Sequence, residues 1–310
     1  MSTTEVSGDS TEYDYDVAVV GGGPAGCSAG VFTARYGLDT VIFDRGRSSI
    51  QRCAYLENYL GFPAGIDIET LYELMHDHAE EAGCEIVPDL VESVDRADDG
   101  DGFVVEPQEG DAVTARRVVA ATRYDGEYMR GLDDESAMFE AYEYDGETHE
   151  TFDGEYADHD GTTPVDGLYV ASPSTEADRQ AIMAAGRGAR VGLRVVEDAR
   201  EEHGYPETVV DHYDWMREKS TLDGEWSDRD RWREWFDEQV PDGHDVEGDR
   251  RVELRERDID RSFETYLSDD EIKQREVRGQ QRLLDHVDED RILDAAREIE
   301  AERNPKGVSD

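Results

Sequence analysis

The chain has 310 residues, with 78 acidic against 32 basic side chains and a formal charge of -46. That balance offers no basic stripe to the phosphates of a nucleic acid, and no run of about 20 apolar residues marks a membrane span. The acidic excess runs the whole length and repels itself in dilute buffer, but is screened at molar salt, where the Debye length is about 3 Å. The composition therefore reads as a cytoplasmic protein of an extreme halophile, archaeal in kind.

Residues 1–13 are polar and acidic and read as a disordered arm, not a signal peptide. Residues 15–20 read as a buried parallel strand. Residues 24–36 follow as a helix packing Ala25, Ala29, Phe32 and Thr33 on the sheet, and residues 40–43 as a second strand. Residues 68–82 form an amphipathic helix with Leu71, Leu74, Met75 and His78 on one stripe, then residues 85–87 a short strand. Residues 91–94, 102–106 and 112–119 make a small antiparallel meander that rejoins the main sheet at residues 117–120.

From residue 124 to 163 the chain is polar and poor in β-branched runs. About 40 residues of this kind fall short of a second nucleotide-binding domain, since one βαβ unit alone takes roughly 30. Residues 165–171 then read as another buried strand. Residues 177–202 read as a long helix whose Gly186, Gly188 and Gly192 permit close packing. Beyond Tyr205 the chain is mostly helical and charged, and Trp215, Trp226, Trp232, Trp235 and Phe236 are expected to cover a core face or a partner. Ser268-Asp-Asp-Glu271 is a capping box opening a helix toward Leu284. Residues 289–302 form a last helix with Ile292, Leu293, Ala296 and Ile299 on one side, and residues 304–310 fray.

The fold class is α/β: a Rossmann-like domain with a central parallel sheet and an antiparallel meander, plus a helical C-terminal extension. Its parts are an arm (1–13), a first domain segment (14–123), a short acidic insert (124–164), a closing strand and helix (165–204) and the extension (205–310).

Chemistry concentrates where the first strand meets the first helix. Gly21 makes the tight turn, Gly23 lets backbone approach a diphosphate, and Gly26 lets the helix pack close to the sheet, with Pro24 and Ala25 in its first turn. The diphosphate then lies over free N–H groups at the helix start. Asp44 ends the second strand, placed to accept from the adenosine ribose hydroxyls, and Arg45 follows it. Asn58, beside aromatic residues and a Gly-Phe-Pro turn, either lines a flat ring or belongs to a surface loop. Arg179 and Gln180 open the long helix and either face an electron-rich ring carbonyl or simply cap the helix. Cys53 either sits by the ring as a catalytic thiol or serves as a small buried filler. Cys27 and Cys84 are structural, and the three cysteines include no Cys-x-x-Cys pair. His76 and His78 fall on different helix faces and no histidine pair has metal-ligand spacing.

Several segments resemble the thioredoxin-reductase-like flavoproteins of the FAD/NAD(P) disulfide oxidoreductases. Residues 19–30 resemble their FAD fingerprint. Leu56-Glu-Asn-Tyr-Leu-Gly-Phe-Pro63 is similar to their segment near the isoalloxazine, and Val118-Val-Ala-Ala-Thr122 to their Ala-Thr-Gly strand end. Residues 167–171 through Arg179-Gln180-Ala181 resemble the closing FAD motif, whose Arg-Gln-Ala lies against the flavin. The resemblance implies FAD as cofactor, with NADH or NADPH as a transient reductant.

The departures are specific. The inserted NAD(P)H domain and its Cys-x-x-Cys are missing between Thr122 and Val165. Arg123 stands where the family has glycine, Ser172-Pro173 where it has Gly-Asp, and Arg47-Ser48-Ser49 where it has Gly-Gly-Gln. The expected function is an FAD-dependent oxidoreductase without its own dithiol relay. Its partner would be an electron-donor or acceptor protein, and its aromatic tail would cover the ring or pair two subunits. The alternatives are a non-catalytic FAD- or nucleotide-binding protein acting through a partner, and a cofactor-free scaffold.

Overall fold

A computed structural model describes residues 13–97, 100–241, 243–244 and 246–304. The expected arm and fraying end, apart from Tyr13 and Asn304, lie outside the described residues. The chain divides into two compact units, residues 1–214 and 215–310, so the extension begins later than position 205. Residues 205–214 belong to the first unit because Tyr205, Val209 and Val210 are buried and the buried Arg200 donates to the Val209 carbonyl at 2.7 Å.

β1 (Tyr15–Val20), β2 (Thr40–Phe43) and β3 (Glu85–Val87) pair in parallel. Their apolar β-branched residues suit a sheet covered on both faces. β4 (Val91–Arg96), β5 (Phe103–Pro107) and β6 (Val113–Ala121) form the meander, giving the order β3-β2-β1-β6-β5-β4. β6 forks. Its first half takes β5 antiparallel, and its second half takes β9 (Leu168–Ser172) parallel.

One sheet face packs on α1 (Pro24–Tyr36) and α4 (Ala181–Glu202), with α2 (Ile68–Ala82) beside them. α2 is delimited as its sequence dictates: the Asp67 carboxylate accepts from the Thr70 amide at 2.9 Å, and Gly83 ends the helix at φ 111°. Leu71, Leu74 and Met75 pack inward, whereas His78 is exposed and lies off the buried stripe. α1 and α4 cross with backbones in contact. A Cβ on Gly188 would lie 2.0 Å from the Ala25 carbonyl oxygen, and one on Gly192 2.7 Å from that of Ala29. Gly186, expected to serve the same packing, faces open space.

The insert is not structureless. It carries α3 (Glu135–Met138) and a hairpin of β7 (Phe139–Tyr144) and β8 (Glu147–Phe152), turned at Asp145 and Gly146 with φ 54° and 82°. Both turn residues at positive φ make the tight hairpin turn that Asp-Gly favours. Met129, Met138, Phe139 and Phe152 join the core on the second face of the sheet. The insert therefore covers that face instead of forming a domain.

The second unit holds β10 (Arg217–Glu218) paired with β11 (Tyr266–Leu267), and helices α5 (Arg229–Gln239), α6 (Gly248–Glu264), α7 (Asp269–Leu284) and α8 (Glu289–Arg303). Phe236, Leu254 and Ile259 are its buried residues of α5 and α6. Trp232 stacks edge-on against Trp226, Trp235 and Phe263 at 5.2, 6.4 and 5.9 Å. Trp215 is 66% exposed and covers no core face. The Ser268 capping box forms as expected. The apolar side of α8 stays open, with Leu293 50% and Ile299 49% exposed.

Candidate functional site

A cleft of about 340 Å³ opens where the first strands of the sheet and β6 end, lined by residues 20–25, the loop 45–53, Thr122–Asp125 and Arg179–Ala181. A crevice at the carboxyl ends of the strands is where open α/β sheets bind ligands.

The glycine turn is built for a close approach. Gly21 holds φ 113°, and a Cβ there would lie 2.5 Å from the Ala121 carbonyl oxygen. A Cβ on Gly26 would lie 1.8 Å from the Gly21 carbonyl oxygen. Gly23 is the N-cap of α1 and no side chain caps the helix. Its missing Cβ faces Ser48 Oγ, 2.7 Å from the Cβ position. The first-turn amides of α1 thus have no side-chain acceptor, the arrangement that receives a diphosphate.

A second helix start faces the same cleft. Residues 177–202 do not form one helix: Ala177–Arg179 is a 3-10 turn, Gln180 is extended at φ -146° and ψ 147°, and α4 begins at Ala181. Gln180 Oε1 accepts from Asn58 Nδ2 at 2.8 Å, joining two segments 122 residues apart. Asn58 is exposed and is not among the residues that line the cleft, so what the bond shows is that its surface loop is tied to the residue that opens α4. No side chain caps α4 either, and Gln180, Ala181 and Ala184 line the cleft.

Asp44 is buried at the end of β2 and already engaged. Tyr72 donates its hydroxyl to Oδ2, His76 Nε2 lies 3.2 Å from the same oxygen, and the Gly46 amide donates to Oδ1 at 3.1 Å. His76 Nε2 also lies 3.1 Å from the Gly22 carbonyl oxygen, so Nε2 carries the proton. Burial pushes the Asp44 carboxyl up, but these hydrogen bonds outweigh it and hold it below its ordinary value. Burial likewise pulls His76 down, and its bonds to Asp44 and Gly22 carry it above its ordinary value. Burial and then Asp44 raise the Tyr72 hydroxyl. Tyr72 and His76, one helical turn apart on α2, were missed in the sequence, as were Gly22 and Ser48. His76 was weighed there as a metal ligand against a structural role, and the structural role was preferred.

The remaining predicted residues reach the cleft in different ways. Arg123 takes φ 66°, a left-handed conformation that explains why a glycine suits this position. Its Nη1 donates to Ser49 Oγ at 2.9 Å, and its guanidinium lies 4.4 Å from the Tyr124 ring centre. The Thr122 amide donates to the Ser172 carbonyl at 3.0 Å. Ser172 is buried in β9. Arg45 sits 3.7 Å from Asp125. Cys53 is exposed and lines the cleft, so it is not a buried filler, whereas Cys27 and Cys84 are buried, and all three are free thiols. Arg47, Arg52 and Arg179 also line the cleft, and among the described residues none of them has a hydrogen-bond or ion-pair partner.

The sequence signature of the pyridine nucleotide-disulphide oxidoreductase family matches residues 15–128, the stretch that holds the glycine turn, Asp44, Asn58 and Arg123. That segment is thioredoxin-reductase-like. A thioredoxin reductase of Streptomyces clavuligerus is 34% identical over 110 residues, 34% of each chain, and one of Bacillus subtilis is 37% identical over 89 residues, 28% of each chain. The match thus spans about a third of the length of these thioredoxin reductases. A solved thioredoxin reductase from Gloeobacter violaceus superposes with a TM-score of 0.50 at 18% identity, covering 66% of this chain and 98% of that one, which shows a shared fold. The thioredoxin-reductase-like segment thus sits in a Rossmann-like domain of the FAD-binding kind. The family as a whole works with a flavin and a nicotinamide dinucleotide. No helix among the described residues is long and apolar enough to cross a membrane.

Proposed function

We propose that the cleft holds FAD and that the protein is an FAD-dependent oxidoreductase without a dithiol relay of its own. One observation carries the reading. In a chain of formal charge -46, two uncapped helix starts open on a cleft edged by Arg47, Arg52 and Arg179, which have no side-chain partner among the described residues. Such a concentration of positive potential fits an anionic dinucleotide.

Residues 14–123 and 165–204 supply the site, and the insert 124–164 stands where the family's nicotinamide domain would be. Gly21, Gly23, Pro24, Ala25 and Gly26 hold the diphosphate against backbone amides. Asp44 and Arg45 hold the adenosine ribose. Arg123, tied to Ser49 beside the glycine turn, faces the diphosphate and takes over from the Gly-Asp replaced by Ser172-Pro173. Asn58, clasped to Gln180, and Arg179, Gln180 and Ala181 at the start of α4 orient the ring, with Thr122 beneath it. The bound flavin supplies the redox chemistry. Cys53, the exposed thiol of the cleft, stands alone, so disulfide relay to a thioredoxin is not expected of this chain. NADH or NADPH would dock directly at the cleft mouth, or an electron-transfer protein would serve in its place.

A second reading, a flavin- or nucleotide-binding protein that acts through a partner, is favoured by Asp44. Its carboxylate already has three donors, so the corner is satisfied without a ribose.

The test is a visible spectrum of protein purified in about 3 M KCl. FAD uptake with bands at about 370 and about 450 nm supports the reading, and anaerobic bleaching by NADH or NADPH favours the oxidoreductase over the binding protein. A colourless protein that takes up no FAD refutes both.

A further inference from the structure

The hydrogen bonds already made by Asp44 limit what else it can hold. A carboxylate offers about four acceptor sites, two on each oxygen. The Tyr72 hydroxyl donates to Oδ2, and His76 Nε2 lies 3.2 Å from the same atom, so that oxygen is full. Oδ1 takes the Gly46 amide at 3.1 Å and keeps one site. Asp44 is 6% exposed and lines the cleft, so the site that remains is one for a cleft ligand.

The same contacts fix the carboxylate in place. A Cβ on Gly22 would lie 2.5 Å from the Asp44 Cβ and 2.9 Å from Oδ2, so a glycine at 22 is what lets the acid lie against the turn. His76 Nε2 is also 3.1 Å from the Gly22 carbonyl oxygen. Its proton is shared between turn and acid, and it ties the end of β2 to the start of α1. The Tyr72 and His76 rings lie 4.5 Å apart, one helical turn from each other on α2. Among the described residues neither makes a further side-chain hydrogen bond, so their polar atoms serve Asp44 and the glycine turn alone.

We propose that Tyr72 and His76 are positioning residues that make Asp44 a one-hydroxyl acceptor. The corner takes one of the two adenosine ribose hydroxyls through Oδ1, and the acid leaves the other unbound. This rests on the dinucleotide reading of the cleft, and it reconciles an acid already engaged by the protein with a ribose beside it. A carboxylate open on both oxygens would accept both hydroxyls. Here removing one hydroxyl breaks a charge-assisted bond, and removing the other breaks none.

The experiment is competition against FAD by ADP, 2′-deoxy-ADP and 3′-deoxy-ADP on the full chain in about 3 M KCl, read by flavin fluorescence. In the wild type one deoxy nucleotide should compete as well as ADP, and the other should be weaker by about tenfold or more. Tyr72→Phe frees a site on Oδ2 and loosens the carboxylate, so the difference between the two deoxy nucleotides should collapse. His76→Leu should do the same, whereas His76→Gln keeps a donor and should keep the difference. A purely structural role would weaken all three nucleotides together and leave their ratios unmoved. The wild-type measurement decides the matter even where a variant fails to fold. Deoxy nucleotides that compete equally in the wild type overturn the proposal and leave the cofactor reading standing. So do ratios indifferent to Tyr72→Phe and His76→Leu, and so does bound FAD that ADP fails to displace. A protein that takes up no FAD refutes the cofactor reading itself, and this proposal with it.

Discussion

Gly23→Val separates the two roles of the glycine turn. Gly23 has φ -84° and ψ -169°, extended backbone that valine adopts without strain. The added Cβ meets Ser48 Oγ at 2.7 Å, the end of a side chain that can rotate away. An off-rotamer adjustment of that size costs about 0.5–1.5 kcal/mol, so the melting temperature should fall by no more than about 2–6 °C in a unit of this size. Binding should suffer far more, because the side chain occupies the path of the diphosphate to the amides of α1. Losing one charge-assisted hydrogen bond costs about 1.5–3 kcal/mol, or roughly 10- to 150-fold in affinity. Gly26→Ala is the contrast. Its Cβ would lie 1.8 Å from the Gly21 carbonyl oxygen, backbone that cannot rotate away, so that variant should lose stability outright. The assay is FAD titration by fluorescence quenching with a parallel thermal melt. Undiminished FAD affinity in Gly23→Val, or a melt as damaged as that of Gly26→Ala, would refute the reasoning.

On α4, Gly188→Ala should destabilise by about 1–3 kcal/mol through overpacking against Ala25, whereas Gly186→Ala, facing open space, should stabilise by about 0.4–1 kcal/mol. Thermal melts that rank the two the other way would contradict the helix crossing. The Asp44–His76 contact gives a pH dependence. His76 is raised in the fold, so its contribution is complete below its ordinary value of 6.5 and lost as the pH rises through the raised value. Stability should therefore fall as the pH rises from 6.5 through the raised value, and His76→Gln should lose that component of the slope in denaturant titrations. Native thiol labelling should modify Cys53 alone, with Cys27 and Cys84 reacting only on unfolding, and FAD should slow it. An unchanged Cys53 rate with FAD bound would place the cofactor elsewhere.

The strand–turn–helix–strand run from Tyr15 to Asp44 was legible because local rules agree there: apolar β-branched residues, glycines at fixed offsets, a proline in the first helical turn, an acid at the strand end. The meander and the Ser268 capping box were legible for the same reason. The insert hairpin was not. Its Asp145-Gly146 turn carries a strong local signal, but both strands are solvated except at Phe139 and Phe152, so no alternation of apolar residues announced them. The break at Gln180 has no glycine or proline behind it and rests on a bond to Asn58 across the fold. Tyr72 and His76 likewise reach Asp44 only once α2 packs beside β2, which no spacing within α2 reveals.

Every role assigned to the cleft rests on a diphosphate lying on bare backbone at the start of α1. A crystal structure of the protein grown with FAD at high salt tests it most directly. Phosphate density should lie within hydrogen-bond distance of the amides of Gly22, Gly23, Ala25 and Gly26, with Arg123 closing over it. Density for FAD at another surface, or a glycine turn filled by the side chains of the loop 45–53 under saturating FAD, would contradict it.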